Sequence, residues 1–262
     1  LLSGGSGNGW RGGAGQCYNA RVFVLLQNAQ VIAPERLGLC DVLLAGDRIA
    51  AVGPSLPALP AAYATTIIDL DGRRLIPGLV DGHVHVTGGG GEAGPATRVP
   101  PITAAALLEA GITTCVGTLG TDGTTRTVAS LVARTLGLRD EGLSAYCYTG
   151  SYQVPLLTLT GSVRSDLVFV DPILGVGELA ISDHRSSQPT LDEFLRIASD
   201  VHVGGLMSGK AGILHLHLGD GPRGLELVRQ ALATAELPAR VYNPTHVNRR
   251  RPLFDEALEL AA

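Results

Sequence analysis

The sequence predicts an α/β protein built on a (β/α) barrel, with a small β unit ahead of it. Three observations lead there. From residue 76 onward, short β-rich runs alternate with Ala/Leu-rich helical patterns. Six strand candidates start near 76, 112, 143, 173, 212 and 239, roughly the repeat of a βα unit. Helix-separated strands imply a parallel sheet, either doubly wound or closed towards a barrel. The third observation chooses between them: the polar and ionisable clusters fall at or just beyond strand C-terminal ends, the rim where a barrel keeps its active site.

Taken in order, residues 1–19 read as a flexible Gly/Ser lead-in without periodicity. Residues 20–75 carry short apolar runs split by turn residues: RVFVLLQNAQVIAPE, DVLLAGDRIAAVG and TTIIDLDGRRLIPG. The turns A-G-D-R and L-D-G-R lie between or beside these strands, and the segment reads as a small antiparallel β unit. The Pro-rich PSLPALP connects two of its strands. Residues 76–262 are the barrel portion. Its strand candidates are LIPGLVDGHVH, ITTCVGT, SAYCYTGS, ILGVGELAIS, GILHLHLGD and ARVYNPTHVN. Its helix candidates are ITAAALLEAG, TVASLVARTLGLRDEG, LDEFLRIASDV, GLELVRQALATAE and PLFDEALELAA.

Composition narrows the function. A chain 45% hydrophobic and 17% charged can bury a core, which excludes disorder for most of its length. A formal net charge of −4 leaves no basic stripe for nucleic acid. No apolar run reaches the ~18 residues needed to span a bilayer, and the Gly-rich N-terminus is not a secretory signal. Cys17, Cys40, Cys115 and Cys147 lie far apart and form no C-x-x-C pair, which argues against a cysteine zinc site and for a reduced, cytoplasmic chain.

The residues that can carry chemistry begin with His83-Val84-His85. Positions two apart on a strand point to one side, so both imidazoles face one space, a geometry that chelates a metal ion. Glu178 follows ILGVG, His217 ends GILHLHLG and His246 sits in YNPTHVN, each at a predicted strand end. One such residue alone is more often structural; four histidines and a carboxylate on one rim point to a metal centre. His215 shares strand parity with His217, but His217 lies nearer the loop and is the better ligand candidate. His215 is expected one layer deeper, His202 on solvated surface, and His184 outside the ligand set. The run Gly88–Glu92 lacks the spacing and lysine of a phosphate loop. Its glycines permit unusual dihedrals beside a ligand, ending in one carboxylate.

These segments resemble the amidohydrolase superfamily, whose first barrel strand carries a signature like PGLVDGHVH. Within it the chain is most similar to the isoaspartyl (β-aspartyl) dipeptidase family. The segments that carry the resemblance are GGGGEAGPATR at 88–98, GTLGTDGTTR at 117–126, TGSYQVP at 149–155, TGSVRSDL at 160–167, AISDHRSSQPT at 180–190 and PTHVNR at 244–249. It covers about residues 22–262. It implies a metal-dependent hydrolase barrel with a small β-sandwich portion, and two zinc ions that acidify a bridging water to attack the isoaspartyl amide. By the same resemblance, His83 and His85 look like ligands of one zinc, His217 and His246 of the other, and Glu178 like the bridge, where the family often has a carboxylated lysine. The only lysine, Lys210, lies on a later segment. Tyr152 resembles the phenol that polarises the scissile carbonyl, and Glu92 the group that receives the substrate ammonium. Arg185 and Arg249 look like the pair that binds substrate carboxylate, with Thr121 lining the pocket. The implied partners are a small dipeptide and, for the intact family member, further copies of the same chain.

The resemblance also implies a general-base Asp at the end of an eighth strand, and that Asp is absent from the chain, which offers six of eight βα units. The expectation is therefore an incomplete barrel that is inactive by itself, with ends that are not natural ends. Two rival expectations are another metal-dependent amidohydrolase, dihydroorotase-like or deacetylase-like, and a non-catalytic truncated paralogue.

Overall fold

The computed structural model describes residues 23–261; the Gly/Ser lead-in and Cys17 lie outside the described residues. Two compact units are present, one ending at Pro77 and the other running Gly78–Ala262.

In the first unit, strands β1 (Phe23–Ile32), β2 (Arg36–Ala45) and β3 (Arg48–Gly53) form an antiparallel meander. The A-G-D-R turn makes the β2–β3 hairpin, with Gly46 at φ 59, where a side chain would clash with its own backbone. Strands β4 (Thr65–Asp69) and β5 (Arg74–Leu75) then join β1 in parallel. Strand directions are thus mixed where the sequence suggested antiparallel pairing alone. The Pro-rich 54–60 segment is the reason: it carries the chain out of the sheet and back, so β4 returns in the direction of β1. Ala29, Val31, Cys40 and Val42 are buried between Leu26, Leu44, Leu70 and Leu75. Buried Asp41 accepts the N–H groups of Asn28 and Leu56, 3.0 Å each, which ties the Pro-rich segment to the sheet.

The second unit contains β6 (Leu79–Val84), α1 (Ala104–Glu109), β7 (Ile112–Gly117), α2 (Val128–Asp140), β8 (Ser144–Thr149) and α3 (Val163–Phe169). It continues with β9 (Ile173–Ile181), α4 (Leu191–Ser208), β10 (Ile213–Leu218), α5 (Glu226–Thr234), β11 (Tyr242–Thr245) and α6 (Arg251–Ala261). The six strands pair in parallel and in chain order from β6 to β11. That order distinguishes the two parallel architectures. A doubly wound sheet reverses at a switch point, whereas these strands never do, so the sheet curls as part of a barrel. Six βα units of an amidohydrolase-type barrel are present, as the sequence predicted.

Boundaries follow local chemistry. β6 starts at Leu79 because Pro77 has no N–H to give the ladder, and β11 starts at Tyr242 because Ala239–Val241 form a 3-10 turn. Thr127 with Ser130, and Thr190 with Glu193, make capping boxes that start α2 and α4. Gly209, at φ 68, ends α4. Helix α3 is absent from the sequence reading, since seven residues with Arg, Ser and Asp show no clear apolar period. Its one signal was Ser162, whose hydroxyl accepts the N–H of Ser165. The core lies between sheet and helices, with Leu167, Ile173, Val176, Leu179, Phe194, Leu214, Leu216 and Leu218 fully buried. Cys40, Cys115 and Cys147 are buried free thiols, and burial pushes Cys147 up to about 12.

β9 and β10 approach closely because β9 carries glycine at the contact. A methyl group on Gly175 would stand 2.1 Å from the carbonyl oxygen of Ile213. Since that obstacle is backbone in the paired strand, the sheet must open to admit it. Gly175→Ala is therefore expected to lower the denaturant midpoint, by about 1–3 kcal/mol or more of stability. An unchanged midpoint in urea unfolding would show that the two strands are not held this close.

Candidate metal centre

The rim residues converge on Glu178. This carboxylate, on β9, is fully buried, and its two oxygens face different histidine pairs. Oε1 lies 3.5 Å from His83 Nε2 and 3.4 Å from His85 Nε2. Oε2 lies 3.0 Å from His217 Nδ1 and 3.5 Å from His246 Nε2. Two triads with metal-ligating geometry result, His83–His85–Glu178 and Glu178–His217–His246, each with ligand atoms within 4.8 Å of one another. His83 and His246 rings are 5.0 Å apart, so the triads adjoin.

Each side chain has a local reason for its position. His83 and His85 share a side of β6 and its continuation. His217 ends β10. His246 follows β11 in the left-handed region, φ 61, which ends the strand at the rim. Gly120 lets the loop after β7 cross over the centre: a Cβ there would be 2.8 Å from the His85 ring and 3.6 Å from Glu178 Oε1.

The electrostatics suit a cation. Burial raises the Glu178 carboxyl, but hydrogen bonding from His217 and His246 and the neighbouring imidazoles outweigh it and hold it well below the usual range. Burial lowers His83 and pushes His215 down to about 4, so both rings stay neutral near pH 7. His215 is packed one layer below the rim. Its Nε2 meets His83 Nδ1 at 2.8 Å and its ring stacks on Tyr148 at 4.9 Å, which orients His83 towards Glu178. Glu178 Oε1 has no hydrogen-bond donor despite full burial. A buried anionic oxygen without a partner is costly, and a cation facing it removes the cost. The residues present therefore fit a metal centre.

A second cluster adjoins the first. Glu92, at the end of the glycine run, accepts the Thr121 hydroxyl at 2.5 Å and two bonds from Arg185 Nη1 at 2.9 and 3.0 Å. The Thr121 hydrogen bond, then the Arg185 charge against a small burial penalty, keeps Glu92 ionised. Arg185 is held in turn by Asp183, and its Nη2 lies 3.2 Å from His217 Nε2. The Tyr152 hydroxyl is 2.7 Å from His217 Nδ1, and burial raises its pKa so that it keeps its proton. Arg249, in the 3-10 turn Val247–Arg249, has its Nη1 3.6 Å from Asp220. His184 is exposed and His202 is half-buried within α4; neither joins the centre.

Sequence reasoning missed Arg126 and Asp183. Buried Arg126 donates to the carbonyls of Thr87, Gly89 and Gly90 and to Asp122, pinning the glycine loop that carries Glu92. No sequence period marks such a residue; the only available signal was its place in the segment 117–126.

Two crystal structures of β-aspartyl dipeptidase from Fervidobacterium islandicum AW-1 resemble the chain at 46% identity. One superposes with TM-score 0.87 over 91% of this chain and 65% of that chain. The other, in complex with a β-Asp-Leu dipeptide, gives 0.86 over 92% and 63%. Among curated proteins, the chain is 38% identical over 95 residues to adenine deaminase of Deinococcus radiodurans, 36% of this chain and 16% of that protein. It is 44% identical over 62 residues to dihydroorotase of Pediococcus pentosaceus, 24% of this chain and 14% of that protein. These relatives are hydrolases of the amidohydrolase superfamily. No protein-family model matches the chain. The chain spans a little under two-thirds of the dipeptidase chains it resembles. Members of this superfamily are metal-dependent, and the two triads sharing Glu178 are where this chain could bind metal. Among the described residues, no helix is long and apolar enough to cross a membrane.

Proposed function

We propose that the protein to which these residues belong hydrolyses β-aspartyl dipeptides at a binuclear zinc centre. One observation carries this reading: an acid–base pair suited to a zwitterion, Glu92 with Arg185, stands beside the His/Glu cluster, Arg185 and His217 sharing the Asp183 carboxylate. The 46% identity to β-aspartyl dipeptidase supports it.

In this reading His83, His85 and Glu178 hold one zinc, and Glu178, His217 and His246 the other. Bound zinc supplies Lewis acidity, polarising a carbonyl and bringing the pKa of water towards neutrality. The chain's own groups do the rest. Glu92 accepts the substrate's α-ammonium, while Arg185 and Arg249 take carboxylate through planar guanidinium contacts. Tyr152, kept protonated by burial, donates its O–H to the oxygen that gains charge as the amide is attacked, an interaction type commonly worth a few kcal/mol. Buried Arg126 holds the glycine loop so that Glu92 stays beside Thr121.

The test is a comparison of β-aspartyl-leucine with α-aspartyl-leucine on the zinc-loaded protein. Hydrolysis confined to the β-linked isomer is expected. Equal rates on both isomers, or turnover of a dihydroorotate-type ring in place of either, would replace this reading with a broader amidohydrolase.

A further inference from the structure

We propose that Asp183 is a positioning residue that couples metal retention to binding of the substrate's charged backbone groups. The inference rests on the function proposed above and deepens it.

Asp183 stands two residues beyond β9, after Ser182 at φ 50, and is 5% exposed. Its carboxylate is shared between the two clusters. Oδ1 accepts the Arg185 backbone N–H at 2.7 Å and Nε at 2.9 Å. Oδ2 accepts Arg185 Nη2 at 2.8 Å and lies 3.0 Å from His217 Nε2. The other nitrogen of His217, Nδ1, faces Glu178. One imidazole thus has a carboxylate behind it and the centre in front. When a cation takes the Nδ1 lone pair, the ring proton sits on Nε2, where this carboxylate accepts it. Arg185 reaches the opposite way, with Nη1 on Glu92. A zwitterion entering between Glu92 and Arg185 changes what Arg185 asks of Asp183, and Asp183 passes that change to His217.

The backbone is shaped for this contact. A Cβ on Gly219, just beyond β10, would lie 2.3 Å from Asp183 Oδ2 and 2.4 Å from Asp183 Cβ. Any residue but glycine there displaces Asp183 from both partners while leaving its charge in place.

The experiment measures zinc affinity of the 262-residue chain by chelator competition, with and without saturating L-aspartate as the zwitterionic probe. For the unaltered chain, aspartate is expected to tighten zinc binding by about 5-fold or more, in the range usual for coupled sites. Asp183→Asn, which keeps the shape, is expected to weaken zinc about 10–100-fold and to abolish the aspartate effect. Gly219→Ala should do the same to a lesser degree, and it decides the matter if Asp183→Asn does not fold. Glu92→Gln should weaken aspartate binding and, with it, the aspartate effect on zinc. Zinc affinity unchanged in Asp183→Asn, or an aspartate effect that survives in it, overturns the proposal. So does an unaltered chain whose zinc affinity ignores aspartate. Coupling in this chain, together with a whole protein that cleaves no β-aspartyl dipeptide, overturns the proposed function alone. A chain that takes up no zinc overturns the coupling, and a whole protein that takes up none overturns both.

Discussion

Replacing Glu178 with alanine is expected to reduce bound zinc from two ions towards one and to abolish tight binding of the remaining ion. The magnitude follows from geometry: Glu178 is the member common to both triads, so its removal takes an anionic ligand from each position at once. Loss of a group that merely supports a ligand costs about 10–100-fold in metal affinity, and loss of a shared ligand should exceed that. Lys210→Ala is the control. Its Nζ donates to the carbonyls of Leu167 and Val170, both 2.7 Å, at the C-terminal end of α3. The expected cost there is about 0.5–1.5 kcal/mol per hydrogen bond in stability, with metal content unchanged. Metal analysis of both variants decides it. Zinc lost from the Lys210 variant alone would reverse the assignment.

Replacing Glu92 with glutamine is expected to lower kcat/KM for β-aspartyl-leucine by roughly 10–150-fold, the equivalent of a charge-assisted contact of about 1.5–3 kcal/mol. Gln is isosteric and can still accept from Thr121, so what disappears is the charge that faces the substrate ammonium and balances Arg185. Metal content should be unaffected, because Glu92 touches none of the four histidines of the two triads or Glu178 among the described residues. Steady-state kinetics alongside metal analysis separates the two effects. A variant with full kcat/KM would mean that the ammonium is received elsewhere.

Strand positions and the convergence of the His/Glu cluster were legible in the amino-acid order because both obey short periods. Apolar runs recurring at βα spacing located all six barrel strands, within three residues at each start. The parity of His83 and His85 put two imidazoles on one side of a strand. Predicted strand ends then marked Glu178, His217 and His246, although in the structure Glu178 lies within β9, three residues before its end. Such signals survive in sequence because neighbours along the chain are neighbours in space.

Only the tertiary structure decided the rest. The order of the strands, which makes the sheet part of a barrel, is a matter of pairing between segments some thirty residues apart. The parallel return of β4 beside β1 depends on the path of a proline-rich connection that has no period. Asp183 and Arg126 are polar residues in loops, indistinguishable in the sequence from solvated ones. Their weight comes from burial and from partners far along the chain, His217 for Asp183 and the carbonyls of residues 87–90 for Arg126. The Glu92–Arg185 pair joins residues 93 positions apart. A sequence names the charges; their distances from one another exist only once the sheet has brought the loops to one rim.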